Sequence, residues 1–251
     1  EIEQLMHGLM LMTAGKSSEY LFSLPSFLEQ HTHVNLRALA QMKNYDDFLA
    51  AVEHTPYYKL LQPFAPPAGK QPDLSLIENA LYTYLYERVY DIIKKHVHGE
   101  AKKELQELFN SYMDLNNYVR IFRLKKFYKA SPDQIRSLLL PFGSINPRFL
   151  NEMVMAKDPG DVISIMMGTP RGKQLSSIEY TFIDELPVRV KHKQCRHFIR
   201  FSTHPSVVML AYIFLTEIEI ANITNVIEGI RYQISTEETK KLLIYNKKAS
   251  A

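Results

Sequence analysis

Apolar positions recur at spacings of three and four over most of the chain, the mark of helices that each turn one face to a core. The pattern is densest from Met209 to Arg231, which reads as one long helix, apolar almost all round in its first half. Glu217, Glu219, Asn222 and Asn225 stand where that apolar run would otherwise continue. A shorter echo lies at Leu108 to Lys126, where Asp114-x-x-Asn117 mirrors Glu219-x-x-Asn222. Ile2, Leu5, Met6, Leu9 and Leu11–Met12 place a further helix at residues 2–12. Between these the spacing predicts helices at 16–28, 35–42, 45–54, 76–96 and 100–126. Asn44 is an N-cap candidate with Asp46 and Asp47 in the following turn, and Thr55-Pro56 ends that helix. Pro63, Pro66, Pro67 and Pro72 deny helical hydrogen bonds to residues 62–72.

The chain repeats itself. Sliding residues 17–61 by 114 positions onto 131–175 gives identity at ten of 45 positions, enough to set a frame. Among the pairs are Ser17/Ser131, Leu24/Leu138, Leu36/Leu150, Lys43/Lys157, Asp47/Asp161 and Thr55-Pro56/Thr169-Pro170. Past the Pro-rich loop the offset is 101 at Ile77-Glu78/Ile178-Glu179 and 105 at Asp114/Glu219, so length changes fall in expected loops. Carried backward, the frame puts Glu3 at the position of Asn117, and the chain is expected to open inside another copy of the long helix. The expected division is residues 1–113 and 114–251.

Composition narrows the partners. Lys and Arg number 30 against 27 Asp and Glu, and the net charge of +3 does not single out nucleic acid or anionic lipid as the main partner. The lone cysteine excludes an internal disulfide. Nine glycines and the lack of Val/Thr-rich alternation point to a mostly helical protein. The longest unbroken apolar run, Val207 to Leu215, is nine residues, about half of what a membrane-spanning helix needs, so no transmembrane helix is expected.

No spacing for a phosphate-cradling Gly-rich loop, a zincin, a hydrolase elbow or a thiol redox pair occurs, so no cofactor, metal or catalytic residue is expected. His192 or His197 with Cys195 could be drawn as a zinc site, but the surroundings Arg189, Lys191, Lys193 and Arg196 are cationic and no second cysteine helps. The basic run Arg189 to Arg200 reads as the solvated face of a helix, or alternatively as an RNA- or lipid-binding strip. Along 114, 117 and 121, as along 219, 222 and 226, one stripe is polar at one end and apolar at the other. Acid and amide one turn apart could be catalytic, could touch a partner, or could brace a loop by side-chain to backbone hydrogen bonds; bracing is the expectation.

Asp114-Leu-Asn-Asn-Tyr-Val-Arg-Ile-Phe-Arg-Leu-Lys-Lys126, Ser131-Pro-Asp-Gln-Ile, Leu138-Leu-Leu-Pro-Phe-Gly143 and Glu217-Ile-Glu-Ile-Ala-Asn-Ile-x-x-Val-Ile-Glu-Gly-Ile-Arg231 together resemble the C subunit of bacterial and archaeal V-type (A-type) rotary ATPases, the counterpart of the d subunit in the eukaryotic enzyme. The resemblance covers nearly the whole chain, with Glu219 where the other copy has Asp114. It implies an all-α protein in which repeated short-helix bundles form part of a pseudo-threefold funnel. Residues 1–113 would be the second of three repeats, with its start truncated, and 114–251 the third.

The implied role is non-catalytic: a central-stalk rotor subunit, peripheral on the cytoplasmic face of the membrane, whose partners are the central shaft subunits and the membrane rotor ring. It would couple ATP hydrolysis or synthesis to proton or sodium transport without binding ATP or the ion. Asp114, Asn117, Glu219 and Asn222 are then expected to fix helix ends around the socket, and Arg120, Arg123 and Lys126 to offer contacts to shaft or ring. The alternatives are a cytosolic helical-repeat scaffold and an RNA- or lipid-binding module.

Overall fold

The computed structural model describes residues 1–24, 27–67, 69–176 and 178–245. The fold is all-α, with no strand among the described residues. Two compact units are present, Glu1–Val89 and Tyr90–Ala251.

The first unit opens on α1 (Ile2–Thr13), followed by 3-10 turns at Ser17–Ser23 and Leu28–Gln30. Then come α2 (Leu36–Leu39), α3 (Tyr45–Ala51), α4 (Tyr57–Leu61) and a 3-10 turn at Gln62–Phe64, before α5 (Leu74–His96). The stretch expected as one helix at 16–28 is thus 3-10 at both of its described ends. The sequence places Pro25 between them, and a residue without an N–H interrupts an α-helical ladder. Helices α2 and α3 start on side chains: Asn35 Oδ1 accepts from Ala38 N and Asn44 Oδ1 from Asp47 N, each at 3.0 Å, satisfying first-turn N–H groups. Their apolar faces close on α1 in a core that includes Leu5, Leu9, Leu39, Phe48, Leu61 and Ile77.

The second unit begins with the end of α5 and continues through α6 (Gly99–Tyr128), α7 (Pro132–Ser137), α8 (Pro147–Met155), α9 (Pro159–Gly168) and α10 (Pro170–Leu175). A 3-10 turn at Ile183–Glu185 leads into α11 (Leu186–Phe201), α12 (Pro205–Arg231) and α13 (Thr236–Leu242). Helices α7 to α10 all begin with proline behind a polar cap, Ser131, Asn146, Asp158 and Thr169 in turn. Proline suits that position because its fixed φ is already helical and the missing N–H would have had no partner. Leu115, Tyr118 and Phe122 of α6 pack with Ile135, Met153, Val162 and Met166 of the short helices in one core.

The two units repeat the same local devices. Thr55 Oγ1 donates to Val52 O at 2.7 Å and accepts from Tyr57 N. Thr169 Oγ1 donates to Met166 O at 2.7 Å and accepts from Gly172 N. One register differs from the sequence frame: Ile77 is buried inside α5, whereas Ile178 precedes the 3-10 turn that leads into α11. The ends of α5 and α11, His96 and Phe201, already differ by the 105 that relates Asp114 to Glu219.

α12 has 27 residues and an 18-residue window of mean hydropathy 1.6, long and apolar enough by length and composition to cross a membrane. The unbroken nine-residue run understates this because apolar residues resume beyond Glu217 and Glu219. Only 17% of that window is buried, and the buried positions Val207, Ala211 and Ile218 lie on the side that packs along α11.

Candidate functional site

Asp114, Asn117 and Arg120 follow one another at every third position of α6, and all three side chains reach the same loop, residues 138–145. Asn117 Nδ2 donates to Leu140 O at 2.9 Å, while Leu140 N donates to Asn117 Oδ1 at 2.9 Å. One amide side chain therefore completes both backbone groups of a buried residue, as a strand partner would. Asp114 Oδ1 accepts from Ser144 N at 2.8 Å and from Ile145 N at 3.0 Å, and its Oδ2 accepts from Ser144 Oγ at 2.7 Å. Arg120 donates to Leu138 O. Sequence reasoning groups Arg120 with exposed partner contacts; its guanidinium is instead engaged with the chain's own loop and half-buried.

Gly143 makes the approach to Asp114 possible. Its φ is +120°, and a Cβ there would lie 2.2 Å from Asp114 Oδ1. Phe142 stacks on Tyr90 with ring centroids 5.0 Å apart, and the Tyr90 hydroxyl donates to Asn110 Oδ1. Burial, with the nearby Asp114 carboxylate, pushes the Tyr90 hydroxyl well above its ordinary range.

Beneath the loop lies a residue that sequence reasoning misses. Arg171, only 7% exposed, donates from Nη1 to Glu107 at 2.6 Å and to Gln174 at 2.9 Å, from Nη2 to Ser144 Oγ at 3.1 Å, and from Nε to Asp114 Oδ2 at 3.3 Å. Burial alone would lower its pKa, but the carboxylates of Glu107 and Asp114 outweigh this and hold the guanidinium more firmly charged than usual. Asp114 is 3% exposed, so its charge is neutralised within the same cluster.

The Asn117 clasp recurs on α12. Asn222 Nδ2 donates to Ile244 O at 2.9 Å and Ile244 N to Asn222 Oδ1 at 2.8 Å, the same two-bond clasp as Asn117 with Leu140. Glu219 is exposed and lines a cavity with His192, Arg196 and Arg200. Ser235 caps α13 by accepting from Glu238 N, as Ser131 caps α7 by accepting from Gln134 N. Arg123 pairs with Asp184 at 2.7 Å with both half exposed, and Lys126 lies over the rings of Phe122 and Phe127.

The run Arg189 to Arg200 is α11, and it is not uniformly a solvated face. Lys191 Nζ sits 4.8 Å from the ring centroid of Tyr112 and 4.5 Å from that of Phe214, 3.7 Å from Glu217. Burial lowers its pKa, with Glu217 opposing. Cys195 is fully buried, and burial pushes its thiol up to about 11, so it is an unreactive core residue. Burial and the neighbouring Arg196 and Arg189 lower the pKa of His192. Among the described residues no group of three His, Cys, Asp or Glu could hold a metal ion. Within the cluster around Asp114, Ser144 and Ile145 tie the loop to α6, while Arg171 joins α10 to the same helix through Asp114 and Glu107.

The family model for the ATP synthase (C/AC39) subunit matches residues 1–242. The chain belongs to the ATP synthase (C/AC39) subunit family. Similar members include the C subunit of the A-type ATP synthase of Pyrococcus furiosus, 22% identical over 216 residues that make up 83% of this chain and 57% of the relative. That of Thermococcus kodakarensis is 25% identical over 236 residues, 90% of this chain and 60% of the relative. That of Methanosarcina mazei is 30% identical over 114 residues, 45% of this chain and 30% of the relative. The chain thus spans little more than half the length of the curated relatives it matches most fully.

Proposed function

We propose that this family member is a non-catalytic rotor subunit of a V-type or A-type ATPase, which joins the central shaft to the membrane rotor ring on the cytoplasmic face. It would thereby couple ATP hydrolysis or synthesis to proton or sodium transport. The observation that carries the reading is the family match over residues 1–242. The Asp114–Arg171 cluster agrees with it, because buried charge is used there to clasp a loop rather than to process a ligand. A part that transmits torque needs stiff joints between helices, and paired side-chain to backbone clasps at Asn117 and Asn222 supply them.

We further propose that residues 1–113 and 114–251 are successive repeats of a larger funnel. On α12, Ile213, Ile220, Ile223 and Ile227 are 49–60% exposed, whereas the α6 residues 105 positions earlier, Leu108, Leu115, Tyr118 and Phe122, are buried. That contrast is what an incompletely covered copy of one repeat looks like.

The test is capture of the chain by the shaft subunit of the same organism's ATPase. Arg123→Glu is expected to weaken capture while moving the melting temperature by no more than about 2 °C, since its half-exposed pair with Asp184 contributes little to folding. Undiminished capture with a collapsed melting temperature would reverse the assignment, making Arg123 a fold residue.

A further inference from the structure

At the C-terminal end of α6, Lys125, Lys126, Lys129 and Lys157 line an open cavity of about 560 Å³. No Asp or Glu lines it among the described residues. Lys125 serves the fold, donating from Nζ to Val154 O at 2.7 Å and to Ala156 O at 2.5 Å. Lys129 and Lys157 make no ion pair among the described residues. The neighbouring Asp158 carboxylate is committed to the cap of α9, accepting from Gly160 N at 2.6 Å. Phe127 and Tyr128 precede Lys129 with 63% and 69% exposure, and Met155 in the cavity wall is 54% exposed.

Lysines near a helix C-terminus are ordinarily explained by the helix dipole. That accounts for Lys125 and Lys126 but not for the other two. Lys129 has φ +47°, in the left-handed region that an L side chain adopts only under strain. In the first unit the position 114 residues earlier is Gly15, with φ +70°, the residue such a helix end favours. Leu11 and Met12 there stand in place of Lys125 and Lys126. The repeated fold therefore requires neither the charges at 125 and 126 nor a side chain at 129, whereas Lys157, which has Lys43 as its counterpart in the first unit, approaches from the link between α8 and α9.

We propose that this cluster binds the phosphate groups of an anionic phospholipid surface, the lysines engaging headgroups while Phe127 and Tyr128 enter the interfacial layer. Free phosphate would satisfy the cations alone; the exposed rings beside them suit the boundary between headgroup and acyl chain.

The intact chain is sedimented with phosphatidylcholine vesicles, with and without roughly one-third phosphatidylglycerol. Association is expected only with the anionic vesicles. Lys129→Gly, which installs the residue of the first unit, and Lys157→Gln should each weaken it about fivefold, the fold-change of ~1 kcal/mol per basic residue near such a surface. Lys129→Gly should not lower the melting temperature, so loss of binding cannot be confused with loss of fold, and Phe127→Ser should weaken binding too. Equal association with neutral vesicles, or indifference to Lys129→Gly, overturns the proposal. Binding of inorganic phosphate without vesicle association also overturns it, as a site for free phosphate instead.

Discussion

Replacing Asn117 by leucine removes the side chain that completes both backbone groups of Leu140 while leaving a shape that fits the helix. Asn117 is 2% exposed and Leu140 5%, so water does not take over either bond, each 2.9 Å long. An unsatisfied buried polar group costs about 1–3 kcal/mol, which puts the substitution at roughly 2–6 kcal/mol for the two. Asn222→Leu breaks the same clasp on Ile244, but both residues are half-buried and solvent substitutes in part, so about 1–2 kcal/mol is expected. Asn116, whose amide bonds Tyr112 O and the Tyr112 side chain but completes no loop backbone group, serves as the control, and Asn116→Ala should cost about 1 kcal/mol. Urea unfolding followed by far-UV circular dichroism ranks the three. In a domain of this size each kcal/mol lost lowers the melting temperature by roughly 2–4 °C. Equal losses for Asn117→Leu and Asn116→Ala would refute the reasoning, because the clasp would then add nothing beyond an ordinary helix contact.

Arg171→Met keeps the length of the side chain but leaves the Asp114 carboxylate buried without its cation, and a loss of about 3–5 kcal/mol in the same urea assay is expected. Arg171→Lys should recover only part of it, since an ammonium cannot serve Glu107, Ser144 and Asp114 together through a planar fork. Alkaline pH should destabilise the chain in a defined window. Burial raises the Cys195 thiol from 9.0 to about 11, and the Tyr20, Tyr45 and Tyr118 hydroxyls from 10.0 to about 12. Their folded pKa values exceed the unfolded ones, so this contribution is complete below about pH 9 and is lost as the pH climbs through 9 to 12. Melting curves across that range check it, and Cys195→Ala should remove the part of the loss that falls between 9 and 10, before the tyrosines contribute.

The helices are legible in the sequence because their apolar spacing is regular and their starts carry recognisable caps, as at Asn44. The bracing role of the amides is legible too: Asn117 and Asn222 interrupt apolar stripes at one point of a repeated pattern, and a polar residue there needs a backbone partner. The rest depends on distance in sequence. Arg171 meets Asp114 across 57 positions and Glu107 across 64, and no local spacing joins them. The available signal is a difference between copies, since Arg171-Gly172 stands where the first copy has Tyr57-Tyr58. Arg120 misleads for the opposite reason: beside Arg123 and Lys126 it reads as one of a charged row, and only the path of the 138–145 loop separates it from them. Glu219 matches Asp114 in position, and the positions that correspond to Ser144 and Ile145 lie outside the described residues.

The residue after the Thr-Pro pair carries the physical difference between the copies. In the first unit the Tyr57 hydroxyl donates to Glu1 at 2.9 Å, an exposed contact from short helix to long helix. In the second the same position is Arg171, and the hydroxyl–carboxylate contact becomes a buried network drawing on two carboxylates, a serine and a glutamine. Gly172 beside it permits this, since a Cβ there would fall 1.9 Å from Met166 O, whereas the first copy carries Tyr58. A buried charge that keeps its partners is costly to separate from them, while an exposed hydroxyl contact exchanges readily with water. One repeat plan thus yields two joints of different strength, and the stronger lies where Asp114, Gly143 and Asn117 converge on a single loop.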